Sequence, residues 1–186
     1  MSFSDKFNKS VLTILKHEGG FINDKDDPGG ATNYGVSLRF LLQEGDLAIG
    51  DIDGDGDIDA DDVSKMTIEQ AKAVYFKCWW QKYGYEQIGD LALVTKVFDM
   101  SVNMGGKQAH TLLQRAILAC GIPVVEDGAL GPKCFGAMDS IVSAGGGDAL
   151  LASLRSEQAG FYRTLICQKP VFEKYRKGWL RRAYEA

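Results

Sequence analysis

The chain has 186 residues, 45% hydrophobic and 25% charged, with a formal net charge of −4. A chain of this length and composition can bury a substantial core, which argues against disorder over most of it, and no apolar run approaches the roughly 20 residues that a membrane-spanning helix needs. The charge is uneven: residues 44 to 69 hold ten Asp or Glu and one Lys, about −9, which leaves about +5 on the rest.

In chain order, Ser4 is placed to cap a first helix whose apolar face uses Phe7, Val11, Ile14 and Leu15, and Gly19-Gly20 ends it. Glu18 therefore sits at a helix C-terminal edge. Asp26-Asp27-Pro28-Gly29-Gly30 reads as a turn or short irregular hairpin, because Pro28 restricts the residue before it and the glycines admit tight backbone. TNYGVSLRFLLQ returns to helix from about Ser37. After the acidic segment, Thr67 and Glu69 open a helix that runs through AVYFKCWW. Another helix spans about Leu91 to Val102, and a long one runs through KQAHTLLQRAILA, with Phe98, Leu112, Leu113 and Ile117 as core residues. GIPVVEDGALGP is a turn-rich connection, and CFGAMDSIV, GDALLASLRSEQAGFYRTLIC and FEKYRKGWLRRAYE supply the remaining helices. The expected class is mainly α, with a small N-terminal β element near residues 20 to 36.

Several function classes fall away. The start, MSFSDKFNKSVLTILKHEGG, lacks the basic region, apolar block and cleavage site of a secretory signal, so the expectation is synthesis in the cytoplasm and, for any outside role, a separate export route. Cys78, Cys120, Cys134 and Cys167 form no CxxC pair, and His17 and His110 have no Cys at ligand spacing, so a disulfide framework and a zinc site are not expected. From Arg163 to Arg182 seven Lys or Arg face only Glu173, yet no nucleic-acid motif accompanies them and nucleic acid is not an expected partner. Integral membrane association is not expected either.

Glu18 carries the first chemical signal. A helix C-terminus disfavours negative charge, and partial burial beside Phe21 or Tyr34 does the same, so this carboxylic acid tends to hold its proton. A protonated Glu can donate to a glycosidic oxygen. Asp27, across the turn, can stay ionised in a wetter, glycine-rich setting and activate water or stabilise positive charge, and the Thr32 hydroxyl can position that water. Against this stands a plainer reading, in which Glu18 is a surface residue and Asp27 a turn former. Asp24 and Asp26 remain substitutes for Asp27.

DIDGDGDIDADD, residues 51 to 62, is the second signal. Asp51, Asp53 and Asp55 occupy positions one, three and five of a calcium loop, Gly56 gives the turn, Asp57 offers its carbonyl at seven, Asp59 acts through water at nine, and Asp62 closes at twelve. Hard oxygen ligands suit Ca2+, and Ile58 fits the apolar position of such loops. Asp in place of Glu at twelve shortens the closing ligand, although bacterial loops of the dockerin type, which this segment resembles there, also use Asp. The reading is an inserted calcium-binding loop with a structural role.

KHEGGFINDKDDPGGATNYGVS resembles the N-terminal signature of the glycoside hydrolase family 108 muramidases, cell-wall enzymes with a lysozyme-like fold. YFKCWWQKYGYEQI, FDMSVNMGG, LLQRAI, GIPVVEDGALGP, FYRTL and KGWLRR continue the likeness through segments similar to that family's C-terminal peptidoglycan-associated region. The resemblance covers nearly the whole chain. It implies an α+β lysozyme-like catalytic region over residues 1–95, which includes the calcium loop, and a helical peptidoglycan-associated region over 96–186, both packed into one compact unit. It also implies that Glu18, the Glu of EGG, is the catalytic acid. A looser likeness to phage lysozymes, which order Glu, Asp and Thr around a small sheet, extends roles to Asp27 and Thr32.

The implied reaction is hydrolysis of the β-1,4 bond between N-acetylmuramic acid and N-acetylglucosamine in peptidoglycan, by an inverting or a retaining route. For the sugars, Tyr34, Trp79, Trp80 and Tyr83 are candidate stacking rings, although adjacent helical positions diverge and one Trp is expected in the core. Asn103 either bonds an acetamido group or serves as a structural cap. Lys169 and the Arg181-Arg182 pair either steer toward anionic wall polymers or form a solvated face. Such an enzyme acts on the wall in the periplasm or outside the membrane, as an endolysin released through a holin or as a muramidase that opens the wall for toxin export. The competing class is a noncatalytic peptidoglycan-binding protein.

Overall fold

Apolar residues three and four apart build the first helix, α1 (Asp5–His17), whose Phe7, Val11 and Ile14 are fully buried. Ser4 Oγ accepts from the Phe7 N–H at 3.2 Å, the capping bond its position asks for. A computed structural model of the chain describes residues 3–17, 21–22 and 30–185. It divides the chain into two units, Met1–Lys82 and Tyr83–Ala186. The expected Gly19-Gly20 stop and the Pro28 turn lie outside the described residues.

In the N-terminal unit a two-residue loop joins β1 (Thr32–Asn33) to β2 (Val36–Ser37), antiparallel, with Thr32 opposite Ser37 and Asn33 opposite Val36. Tyr34 and Gly35 both take positive φ, 48° and 77°, as a type I′ turn requires to match the twist of a hairpin. Ile22 adds one further bridge, exchanging two 2.8 Å hydrogen bonds with Thr32. The buried Asn33 amide donates to the carbonyls of Val63, at 3.0 Å, and Met66, at 3.4 Å, which fixes the hairpin against the helices that follow the acidic loop.

Ser37 caps α2 (Leu38–Glu44), and Gly45, at φ 63°, ends it. Asp46 caps the one-turn α3 (Leu47–Gly50), and the acidic loop leads to α4 (Ala60–Lys65). The helix expected from Thr67 onward forms as α5 (Ile68–Tyr75), with Gln70 rather than Glu69 closing the capping box on Thr67. Glu69 instead pairs with Lys72 at 2.6 Å. The FKCWWQ stretch widens into a π-helix, Phe76–Gln81, which sends Trp80 inward against Phe7 at 5.4 Å.

The regular elements described in the C-terminal unit are all helices. A 3-10 turn, Tyr85–Gln87, leads to α6 (Leu91–Met104), capped by Asp90, and α7 (Gly106–Ala119) follows. Gly106 permits a close approach: a Cβ there would lie 2.5 Å from the Tyr83 ring. Next come α8 (Pro132–Ser143), α9 (Gly147–Gln168), a 3-10 segment Pro170–Tyr175, and α10 (Arg176–Tyr184). The long α9 packs on α7 and α10, and α6 packs on α7. Phe98, Leu112, Leu113 and Ile117 are buried, as their spacing implies.

Charges also close this unit. Lys96 of α6 is fully buried and donates to the carbonyls of Arg182, at 2.7 Å, and Glu185, at 2.8 Å. Burial holds its pKa down at about 8. Arg182 returns along the same seam to Asp99, with Nη2 2.8 Å from Oδ1 and Nε 3.2 Å from each carboxylate oxygen. The described residues thus form a mainly helical fold with one small N-terminal antiparallel hairpin. No helix among them is long and apolar enough to cross a membrane.

Candidate functional site

The hairpin organises what is described of the N-terminal candidate site. Glu18, Asp27 and the alternatives Asp24 and Asp26 lie outside the described residues. Glu18 directly follows the last residue of α1, and Ile22, four positions on, is bridged to Thr32. Ile22 therefore lies beside the Thr32 strand. Tyr34 occupies the turn, where its carbonyl accepts from the Tyr75 hydroxyl at 2.9 Å.

The two tryptophans separate. Trp79 is half-buried and stacks on Phe40, with ring centroids 4.6 Å apart and 21° between planes. Trp80, at 1% exposure, is a core ring. The expectation that Trp80 contacts sugar is corrected accordingly, because the π-helical turn points it at Phe7 and leaves no face for a ligand. Asn103 is exposed near the end of α6 and accepts from the Tyr162 hydroxyl at 2.6 Å, while Gly105 takes the helix-end position.

The acidic loop wraps its own backbone. Asp51 accepts from the N–H groups of Gly54 at 2.7 Å, Asp55 at 3.1 Å and Gly56 at 3.1 Å. Asp62, 1% exposed, accepts from Ile52 at 2.6 Å, Asp53 at 3.2 Å and Asp59 at 2.7 Å. Two triads result, Asp51-Asp53-Asp55 and Asp57-Asp59-Asp62, and the candidate ligand atoms within each lie within 4.8 Å of one another. Such carboxylate clusters can coordinate a divalent ion. Like charge is felt within them, since Asp55 above all raises the Asp57 pKa, whereas Lys65, 2.6 Å from Asp53, lowers that of Asp53. Asp59 and Asp62 also form the capping box that starts α4, so two of the six acids have a helix-building role of their own.

Residues 11–105 match the family described as glycosyl hydrolase 108, and this span is more than half of the chain. The chain belongs to the glycosyl hydrolase 108 family. Residues 108–184 of this glycosyl hydrolase 108 protein match a second family, described as a predicted peptidoglycan domain. The fold is similar to the solved structure of Brucella abortus SagA, with a TM-score of 0.71 and 22% identity over 95% of this chain and 88% of that one. No curated protein matches the chain. The family membership supports a hydrolase that acts on peptidoglycan.

One constellation in this glycosyl hydrolase 108 protein escaped the reading of its sequence. Gln114, 1% exposed on α7, accepts from Gly128 N–H at 2.8 Å through Oε1 and donates through Nε2 to Asp127 Oδ1 at 2.8 Å and the Ala129 carbonyl at 2.9 Å. One turn earlier, His110 holds the Gly128 carbonyl through Nδ1 at 3.1 Å and faces the Tyr85 hydroxyl through Nε2 at 2.7 Å. With Nδ1–H donating to the carbonyl, Nε2 accepts from tyrosine. Burial pushes the His110 pKa down and keeps the ring neutral. Gly128 takes φ 74°, and a Cβ there would meet Lys107 at 2.7 Å, so the loop can close on α7 only with glycine at that position. The signal available in sequence was VEDGALGP after a helix bearing His and Gln four residues apart.

Proposed function

We propose that the protein is an N-acetylmuramidase that cleaves the β-1,4 bond between N-acetylmuramic acid and N-acetylglucosamine, with Glu18 as general acid. The observation that carries this reading is the family match from residue 11 to 105, which includes the EGG segment and is followed at once by a predicted peptidoglycan domain. Glu18 protonates the leaving oxygen, and its position in sequence directly after α1 favours the protonated acid that this step needs, because a helix C-terminus disfavours negative charge. Asp27 and Thr32 serve on the water side. The Ile22–Thr32 bridge supports this, since Ile22, four positions after Glu18 in sequence, lies alongside Thr32. Tyr34 and Trp79 are the rings proposed to meet sugar, and Asn103 an acetamido group. The lysozyme-like assignment of the N-terminal region belongs to the same reading, as does action on the wall outside the membrane.

The acidic loop is read as a calcium site with a structural role, held by Asp51, Asp53, Asp55, Asp57, Asp59 and Asp62. Its donor set fits a hard divalent cation: all six side chains are carboxylates, grouped in two tight triads, and the charge of Asp55 raises the Asp57 pKa. Calcium would neutralise that repulsion. None of the chemistry at Glu18 depends on it.

The test of the activity is mass spectrometry of fragments released from purified peptidoglycan, where a new muramic-acid reducing end is expected. Glu18→Gln should lower turnover by about 100-fold or more, the scale of general-acid catalysis, while wall binding persists. Folded E18Q that cleaves at close to the parent rate would sink the assignment. A parent that binds the wall and releases no glycan would instead make the protein a noncatalytic binder.

A further inference from the structure

We propose that the cavity framed by Gln114, the 124–131 loop and the start of α8 binds the stem peptide of peptidoglycan, taking its free amine at Asp127 and a carboxylate at Lys133. This rests on the reading that the protein acts on peptidoglycan, and it assigns a second kind of contact, to peptide rather than to glycan. All the residues that line the cavity fall within the match to the predicted peptidoglycan domain.

The cavity has a volume of about 500 Å³, inside the roughly 300–1,000 Å³ range of small-ligand sites. Val124, Val125, Leu130 and Pro132 give it apolar walls. Its frame is already built: Gln114 and His110 fasten residues 127 to 129 from α7, so a ligand meets a formed site and little ordering is lost on binding.

The lining chemistry selects the ligand. Among the described residues no Trp, Tyr or Phe lines the cavity, whereas a sugar face is best held by an aromatic ring. In place of rings there are two opposite charges. Both side-chain hydrogen bonds made to Asp127 by other residues, from Ala129 N–H at 2.9 Å and from Gln114, fall on Oδ1. Oδ2 accepts none from another residue among those described. Lys133 pairs with no described residue, and it stands in the first turn of α8, where the helix dipole adds to its attraction for an anion. Peptidoglycan sugars carry acetamido groups and hydroxyls and offer no such pair of charges. A stem peptide does, in the amine of its diamino acid and its free carboxylates, joined by short apolar alanines that suit the valine and leucine walls.

The test is calorimetric titration of the full chain with three probes: the tetrapeptide N-acetyl-L-alanyl-γ-D-glutamyl-meso-diaminopimelyl-D-alanine, the same peptide acetylated also on its side-chain amine, and the unsubstituted N-acetylglucosamine disaccharide. Asp127→Asn, which keeps an oxygen for the two bonds at Oδ1, and Lys133→Gln should each weaken the tetrapeptide by about tenfold or more, the worth of one charge-assisted hydrogen bond. Acetylation should weaken binding to the parent by a similar factor and have little further effect on D127N. Tetrapeptide affinity unchanged in both variants overturns the placement, and disaccharide binding that both variants weaken overturns the choice of peptide over sugar. Cleavage of intact wall by the parent is measured alongside. Cleavage without any peptide binding refutes this inference and leaves the muramidase reading standing, whereas peptide binding lost in D127N, without cleavage, does the reverse.

Discussion

Replacing Gln114 by Glu changes one atom group and reverses the hydrogen-bonding sense of one end of a buried side chain. Oε1 of the parent accepts from Gly128 N–H, and a carboxylate oxygen can keep that bond. The other end now donates to Asp127 Oδ1 and the Ala129 carbonyl, and as a carboxylate oxygen it would face both as an acceptor. Two donations at about 1 kcal/mol each are lost, and a buried charge beside another carboxylate adds a penalty of similar size, so the expected loss at neutral pH is about 2–4 kcal/mol. For a chain of this length that corresponds to a fall in Tm of roughly 5–15 °C. The loss should shrink in acid. Burial and Asp127 raise the folded-state pKa of the introduced carboxyl above its unfolded value of about 4.3, so the folded protein binds the extra proton more readily, and stability lost at pH 7.5 returns as pH falls through the raised value. The protonated acid can again donate to one of the two oxygens. Thermal melts of Q114E and parent at matched pH between 7.5 and 5 give the difference directly. A variant that melts within about 2 °C of the parent at pH 7.5, or a gap that does not narrow in acid, refutes the role given to Gln114.

Other perturbations address separate features. Arg182→Met should destabilise the fold by about 3 kcal/mol, the lower end for a broken buried ion pair because Lys96 remains close to Asp99, and removing Asp99 as well should recover part of the loss in urea titration. His110 is held neutral by burial, so its contribution is full above the unfolded pKa of about 6.5 and is lost as pH falls below it; His110→Gln should melt with a flatter profile than the parent between pH 7 and 5. Calcium at 100 times its Kd should add about 2.7 kcal/mol to the stability of metal-stripped protein, and D51A/D55A should abolish the gain. Calorimetry that finds no calcium binding above the magnesium background removes the site.

Much of the helical fold was legible because it is written in local patterns. Phe7, Val11 and Ile14 sit at helical spacing and are buried, Ser4 and Ser37 cap where a side-chain oxygen precedes an apolar run, and the class follows from such runs. The NYG turn was legible only as part of a small β element near residues 20 to 36, since its hairpin geometry depends on Tyr34 accepting positive φ while Tyr75 holds its carbonyl from a distant helix. The π-helical turn at FKCWWQ has the composition of an ordinary amphipathic helix, so which tryptophan turned inward could not be read from spacing alone. Nothing local marks Lys96 and Asp99 as buried charges, because their partner lies more than eighty residues later. The cavity beside Gln114 was hidden for the same reason: its loop was recognisable as turn-rich, but what fastens the loop is two side chains from the preceding helix.

Gly50 sets the limits within which the acidic loop could be moved as a cassette. It is buried at the end of α3, and a Cβ built on it would lie 2.5 Å from Ile58 Cδ1, so Ile58 reaches back from between Asp57 and Asp59 to rest on the glycine that precedes the loop. Asn33 reaches the far side through the carbonyls of Val63 and Met66. A transplant cut at residues 51 and 62 would carry all six acids yet lose the seat for Ile58 at one end and the hairpin anchor at the other. The smallest portable unit therefore begins no later than Gly50 and runs through Met66, and a recipient scaffold must supply a buried amide where Asn33 stands.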